Sequence, residues 1–294
     1  MKLSLKLLIF WVLTGMAISC QNAPKPMFQN PVVEKVWDGF IFVEGPVWVE
    51  GKGVLFSDIP ANKVYLFGID SSLSVYLDTS GNSNGLVLDA EGNLILCQHG
   101  YRQVAQLMEN GEFKSLAAKY NGMQLNSPND IAIKSDGSMF FTDPPYGLYD
   151  KRLTSDLGFN GIYRLSPEGE VQLLDKTLNR PNGIAFSPDE SKLYVGDSEG
   201  NAIYMWDVID DTSIANKTVF DSIAAPGFDG MKVDANGFIY SSGPEGIWIW
   251  APDGTHQLTI PIPGQTTNCA FGDPDGKTLY VTSGNALYRI REGE

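Results

Sequence analysis

Short apolar runs rich in Val, Ile, Leu, Phe and Tyr recur along the chain between clusters of Gly, Pro, Asn and Asp. β-Branched and aromatic runs bounded by such residues predict strands joined by tight turns. No stretch carries the 3.6-residue period of a long amphipathic helix. Six of the runs are opened by an oxygen-bearing side chain: Glu44-Gly45-Pro46, Asn84-Gly85-Leu86, Asn129-Asp130-Ile131, Asn182-Gly183-Ile184, Asp229-Gly230-Met231 and Asn268-Cys269-Ala270. The intervals between them are 40, 45, 53, 47 and 39 residues, and a second strand ends 13 to 15 residues after each, at Asp58, Cys97, Asp143, Asp197, Ser242 and Ser283.

The fourth unit shows the plan most fully. Asn182 to Ser187 runs into a turn at Pro188 to Ser191, Lys192 to Asp197 returns, Ala202 to Val208 goes out again, and Thr218 to Asp221 completes the unit. A repeat of this length made of short strands predicts an all-β, six-bladed β-propeller with four antiparallel strands per blade. The last unit lacks a strand, whereas Val32 to Trp37 has no unit of its own. Pairing residues 32–37 beside 286–291 completes the sixth blade, closes the ring and removes an exposed sheet edge.

In a closed ring the six openings stand at the same end of their strands and face one axis. Asn-Gly and Asp-Gly pairs also form hairpin tips, but the tips here are already supplied by Asp/Gly clusters farther along each unit, such as Asp89 to Gly92 and Asp234 to Gly237. The openings therefore read as a ring of oxygen ligands, with carboxylates at Glu44 and Asp229 and amides elsewhere. Oxygen donors without His or Cys suit calcium, with magnesium, manganese or zinc as alternatives. A second layer is expected from the ends of the second strands, at Asp58, His99, Asp143 and Asp197, where a carboxylate beside a bound water is a candidate general base. The long segment from Pro144 to Asn160, with Tyr146 and Tyr149, is expected to cover the site and to stack on a sugar-sized ring.

Composition narrows the class of partner. The 294 residues are 43% hydrophobic, enough for one repeat-built domain, and 31 Gly with 17 Pro suit a turn-rich β protein. A net charge of −14 without a basic stripe argues against nucleic-acid binding. Neither Ser57 nor Ser127 sits in a nucleophile elbow, and no Gly-rich phosphate loop is present.

Residues 1–19 read as a signal peptide: Lys2 and Lys6 flank an apolar run, Leu7 to Leu13, too short for a confident membrane span. The end, Ala17-Ile18-Ser19-Cys20, resembles a bacterial lipobox, with Cys20 as the lipidated residue. Residues 20–31 then form a tether, and 32–294 the propeller domain. This makes the protein an extracytoplasmic lipoprotein, periplasmic or at the cell surface, touching a membrane only through its anchor. Cys97 and Cys269 lie in apolar strands and are expected to be free, buried thiols.

Several phrases carry a resemblance: Glu44-Gly45-Pro46-Val47-Trp48, Ser83-Asn84-Gly85-Leu86, Cys97-Gln98-His99-Gly100, Asn126-Ser127-Pro128-Asn129-Asp130, Phe141-Thr142-Asp143-Pro144-Pro145-Tyr146-Gly147, Arg180-Pro181-Asn182-Gly183 and Phe228-Asp229-Gly230-Met231. In this order they resemble the regucalcin/gluconolactonase/luciferin-regenerating-enzyme family of six-bladed propellers, and bacterial gluconolactonases above all. The resemblance implies a divalent metal, usually calcium, held by Glu44, Asn182 and Asp229, with Asn129 beside it directly or through water. It implies hydrolysis of a sugar 1,4- or 1,5-lactone to the aldonic acid, with Asp197 expected as general base and Asp229 as the second candidate. Asn84, His99, Arg102, Asn129, Asp143, Tyr146 and Asn268 are the expected substrate contacts. Animal members carry an Arg where this chain has Ser127, and Arg102 is the candidate to replace that cation. Two other classes remain open at this point: an organophosphate-hydrolase-like enzyme on the same fold, and a non-enzymatic propeller binding calcium or a protein.

Overall fold

The structure, a computed structural model, describes residues 24–150, 152–224 and 227–293. The leader and Cys20 lie outside these residues. Six four-stranded antiparallel sheets form the blades. The first comprises Val43–Val49, Gly53–Asp58, Lys63–Gly68 and Leu73–Leu77, and the second Ser83–Leu88, Leu94–Gln98, Gln103–Leu107 and Phe113–Ala117. The third is Ile131–Ile133, Met139–Asp143, Gly161–Leu165 and Val171–Asp175; the fourth is Pro181–Phe186, Lys192–Asp197, Ala202–Asp210 and Ser213–Ser222. Met231–Val233, Ile239–Gly243, Gly246–Trp250 and His256–Pro261 make the fifth. The sixth combines Thr266–Gly272, Thr278–Ser283 and Ala286–Glu292 with Pro31–Asp38.

Closure follows the expected plan. Pro31–Asp38 pairs antiparallel with Ala286–Glu292, with Val32 opposite Arg291 and Asp38 opposite Ala286. The second strands are apolar on both faces because each blade is packed between two others. Leu193 and Val195 enter one inter-blade core with Phe140, Ile162 and Trp206, while the alternate residue Tyr194 enters the next with Phe228, Ile239 and Trp250. The period of two along one strand thus builds two cores.

Toward the axis, backbone and hydroxyl bonds stitch neighbouring blades together. The Ser57 hydroxyl donates to the Asn84 carbonyl at 2.8 Å, Thr142 to that of Asn182 at 2.7 Å, Ser242 to that of Thr267 at 2.7 Å, and Thr267 to that of Val43 at 2.8 Å. The strands approach so closely that a Cβ on Gly183 would lie 2.2 Å from the Asp229 carbonyl oxygen. Only glycine fits there.

Three features depart from the expectations. Register sets Gln98, not Cys97, at the end equivalent to Asp58, because Ser83 pairs with Gln98 as Val43 pairs with Asp58. Lys119–Tyr120 and Met123–Gln124 form an extra two-stranded ladder. The fold also begins before residue 32: Phe28 is fully buried against Tyr240, and the amides of Gln29 and Asn30 donate to the Glu292 carboxylate. Cys97 and Cys269 are free and buried, as expected. No helix among the described residues is long and apolar enough to cross a membrane.

Phe28 therefore belongs to the fold. Phe28→Ala is expected to lower stability by about 3 kcal/mol, read as a shift of the urea midpoint at constant slope; an unchanged midpoint would assign residues 24–30 to the tether.

Candidate functional site

At one end of the axis lies a cavity of about 720 Å³. Glu44, Asn84, Asn129, Asn182 and Asp229 line it, each from the opening of a different blade. His99 and Tyr146 line it as well. Seven of the residues expected at the site are thus brought together.

The oxygens are unusual for a protein interior. Asn84 Oδ1, Asn182 Oδ1 and Asp229 Oδ1 are each buried and accept no hydrogen bond. Buried polar atoms normally find partners, so three orphaned acceptors around one cavity mark a place for an electropositive ligand. Their neighbours hold them in place: Asn182 Nδ2 donates to the Ser198 hydroxyl at 3.0 Å, which donates onward to the Phe228 carbonyl at 2.8 Å. Glu44 Oε2 accepts the Gly45 amide at 2.7 Å.

The carboxylates are electrostatically crowded. Burial pushes the Glu44 carboxyl up to about 7, opposed by the Gly45 amide and reinforced by Asp130. Burial also holds the Asp229 carboxyl well above the usual range, and the charges of Glu44 and Asp130 add to the effect. A cation placed among them would reverse this destabilisation. Among the described residues no three His, Cys, Asp or Glu side chains form a metal-holding cluster. A cation here would depend on the amide oxygens as much as on the two carboxylates, a donor set of the oxygen-only kind that takes calcium.

Four expected site residues are placed elsewhere. Asp197 does not line the cavity; Oδ2 accepts the Asn179 amide at 2.8 Å and Oδ1 accepts those of Arg180 and Gly200 at 2.7 and 3.0 Å. Its carboxylate clamps the loop that delivers Asn182. Asp143 does the same for the third blade, accepting the amides of Asn126 and Ser127 at 2.8 and 2.7 Å; its burial still pushes it up to about 7. Arg102 is spent on the carbonyls of Leu125 and Asn126 and on Asp156 at 2.9 Å, so it offers no cation to a substrate. Asn268 is displaced by register. With Thr266 opposite Ser283, the residue matching Glu44 is Thr267, and Asn268 occupies the position of Gly45, one layer below the cavity.

The segment after Asp143 does reach the site. Tyr146–Asp150 forms a short helix, and both Tyr146 and Tyr149 line the cavity. Ser127 anchors it, donating to the Pro144 carbonyl at 2.5 Å and accepting the Gly147 amide at 3.0 Å. Burial pushes the Tyr146 hydroxyl up, and Ser198 and Asn182 lie beside it. From outside, the Arg180 guanidinium lies 5.4 and 5.0 Å from the ring centres of Tyr146 and Tyr149 and pairs with Glu199 at 3.1 Å. Ser198 and Glu199 were not singled out from the sequence; they directly follow the Asp197 clamp, and that adjacency was the available signal.

Comparison with known proteins agrees with this geometry. Residues 42–285 match the SMP-30/gluconolactonase/LRE-like region. The chain is 35% identical to a gluconolactonase of Zymomonas mobilis, over 88% of this chain and 81% of that one. It is 26% identical to a pentonolactonase of Haloferax volcanii, over 82% and 80% respectively. A solved gluconolactonase structure from Xanthomonas campestris superposes with a TM-score of 0.85 at 32% identity, covering 90% of each chain. With its opening residues collected round one axial cavity and this match along nearly its whole length, the chain belongs to the SMP-30/gluconolactonase/LRE-like family.

Proposed function

We propose that the protein is a lactonase that hydrolyses a sugar lactone to the aldonic acid at a divalent cation, calcium by preference, held in the axial cavity by Glu44, Asn182 and Asp229 with Asn129 beside them. The observation that carries the reading is the set of orphaned oxygens on Asn84, Asn182 and Asp229 around one cavity. The names borne by the Zymomonas and Haloferax relatives support the substrate class. A divalent cation bound there would polarise the lactone carbonyl and oppose the negative charge that develops on its oxygen.

The chain's own groups account for the proton and for orientation. Asp229, whose Oδ1 accepts no hydrogen bond from the protein, takes the proton from the attacking water as that oxygen bonds to the carbonyl carbon. The ring C–O bond then breaks, and the same proton passes to the leaving alkoxide. Water and lactone give one hydroxy acid, which ionises on release. Tyr146, Tyr149 and Asn84 position the sugar, and the helix carrying the tyrosines excludes bulk water. The leader sequence adds the proposal that this reaction takes place outside the cytoplasm, on a chain anchored through Cys20.

A panel of 1,4- and 1,5-sugar lactones and a phosphotriester, assayed with calcium and with chelator, tests the reading. Lactone turnover lost in chelator and in Asp229→Asn is expected. Phosphotriester turnover alone would move the protein to the organophosphate class, and full activity in chelator would remove the cation.

Asp197→Asn separates a clamp from a base. Weakening charge-assisted bonds to three backbone amides is expected to lower the melting temperature, while turnover stays within about tenfold of wild type; removal of a general base typically costs about 10² to 10⁴ in rate. A folded variant below about 1% of wild-type turnover would restore Asp197 to the chemistry.

The carboxyl groups also set a pH dependence. Glu44 and Asp229 bind protons more tightly in the folded chain than in the unfolded one. Protonation of Glu44 favours folding below pH 4.5, and that contribution is lost as pH rises through about 7; Asp229, held well above the usual carboxylate range, contributes in the same sense. In chelator the melting temperature is therefore expected to fall between pH 5 and 8. Calcium should remove most of the slope, with Asp143, also raised to about 7, supplying the remainder. A slope of the opposite sign would contradict the crowding argument.

A further inference from the structure

Directly beneath the cavity, a second polar layer fills the axis. Each blade places the residue after its opening here, and most of these are glycine, but the third and sixth blades place Asp130 and Asn268. Both are buried, 2% exposed each. Asn268 Nδ2 donates to Asp130 Oδ2 at 3.3 Å across the axis, and Asn268 Oδ1 accepts the Cys269 amide at 2.8 Å. The glycine of the neighbouring blade makes room: a Cβ on Gly230 would lie 1.9 Å from Asn268 Cγ. Asp130 is thus a third carboxylate on the axis, and it raises the proton affinity of both Glu44 and Asp229.

One cation answers it. Lys232, from the first strand of the fifth blade, brings Nζ to 4.0 Å from Asp130 Oδ2 and donates to the Met231 carbonyl at 3.0 Å. Its charge also acts on Glu44, in the opposite sense to that of Asp130. Cys269, the nearby thiol, is pushed up to about 12 by burial and stays neutral. With all three carboxylates ionised, Glu44, Asp130 and Asp229 with the Lys232 ammonium leave two uncompensated negative charges, the charge of one divalent cation.

We propose that Lys232 is a tethered counter-charge that sets the affinity of the axial site for a divalent cation, acting through Asp130 from the layer below the ligands. It is a positioning residue and touches neither substrate nor the bound ion. The inference rests on the axial-cation reading. A site with three carboxylates and no ammonium would bind calcium more tightly yet fold less well without it, because three like charges would share a small buried volume. Lys232 holds the site at a charge that is tolerable when empty and neutral when filled. The partial exposure of its side chain, 29%, leaves it open to ionic strength, so its influence is expected to weaken with salt.

Calcium titration calorimetry on the purified chain tests this, with thermal denaturation in chelator as a second readout. Lys232→Met keeps the length of the side chain and removes the charge. It is expected to bind calcium on the order of tenfold more tightly at low ionic strength, with a lower melting temperature in chelator that calcium restores. Lys232→Arg should behave as wild type. Asp130→Asn should shift affinity the other way, and Lys232→Met combined with Asp130→Asn should return it toward wild type. Unchanged calcium affinity in Lys232→Met, or equal behaviour of the Met and Arg variants, would overturn the proposal and reduce Lys232 to a packing role. A wild-type chain that binds no divalent cation would overturn the axial-cation reading itself, and this inference with it, whereas wild-type binding with an unmoved Lys232→Met overturns the inference alone.

Discussion

Everything at the site depends on how closely six first strands can approach one axis. Six blades around a ring bring the strand ends near enough that carbonyls of one blade accept hydroxyl protons from the previous one, as in Thr142 to Asn182 and Thr267 to Val43. At that separation a side chain on any of the four glycines that follow an opening would strike a neighbour, as the 1.9 Å clearance at Gly230 shows. Opening side chains are consequently forced up toward the cavity, and the bonds that define the ring leave several of their oxygens without protein partners. Burying unpaired oxygen costs stability. The axial site is the place where fold closure concentrates that cost, and the proposed cation would be a ligand whose charge offsets it.

A second constraint explains the acids that end the second strands. A loop entering an inner strand must satisfy its amides before the ladder begins. Asp58, Asp143 and Asp197 do this in three blades by accepting the amides at Ile41 and Phe42, Asn126 and Ser127, and Asn179 and Arg180. Repetition in equivalent positions is what a scaffold element looks like. A catalytic base is needed once, and a feature present in three blades is explained by what the blades share. The asymmetry of the site lies elsewhere: in which openings are carboxylates, and in the single helix after Asp143 that leans over the cavity.

The fold was legible because its signals are local and periodic. Apolar strands, Asp/Gly turns and the orphan segment at residues 32–37 each state a pairing that recurs or completes a count. Most of the ring was legible for the same reason. What escaped were facts that only strand register decides. Asn268 looks like an opening because Asn-Cys-Ala has the polarity pattern of Asn-Gly-Ile, but a bulge between Thr266 and Asn268 moves it down a layer, and Thr267, equally polar, takes its place. Arg102 and Asp197 stand away from the cavity lining for a different reason. Proximity along the chain to the site face was visible, but the direction of a side chain set by loop amides and carbonyls was not, since those donors come from residues 17 to 24 positions away.

Register also gives the axis its depth. A single ring of openings would present two carboxylates to a cation, and the surrounding amides would complete a plausible shell with no further requirement on the protein. The displaced Asn268 and its partner Asp130 add a layer that no count of openings anticipates, with a charge that disfavours ionisation of the two carboxylates above. Such an arrangement is hard to explain as a stabilising device, because replacing buried charge by apolar groups of similar volume often stabilises a protein. It is easier to explain as tuning. A cation bound as proposed would displace the protons that burial favours on these carboxylates, and the layer below would set how readily that exchange occurs. The layer that raises proton affinity and the ammonium that moderates it therefore act on the same property, the readiness of the two carboxylates to give up their protons, and that readiness is what the proposed cation site would require.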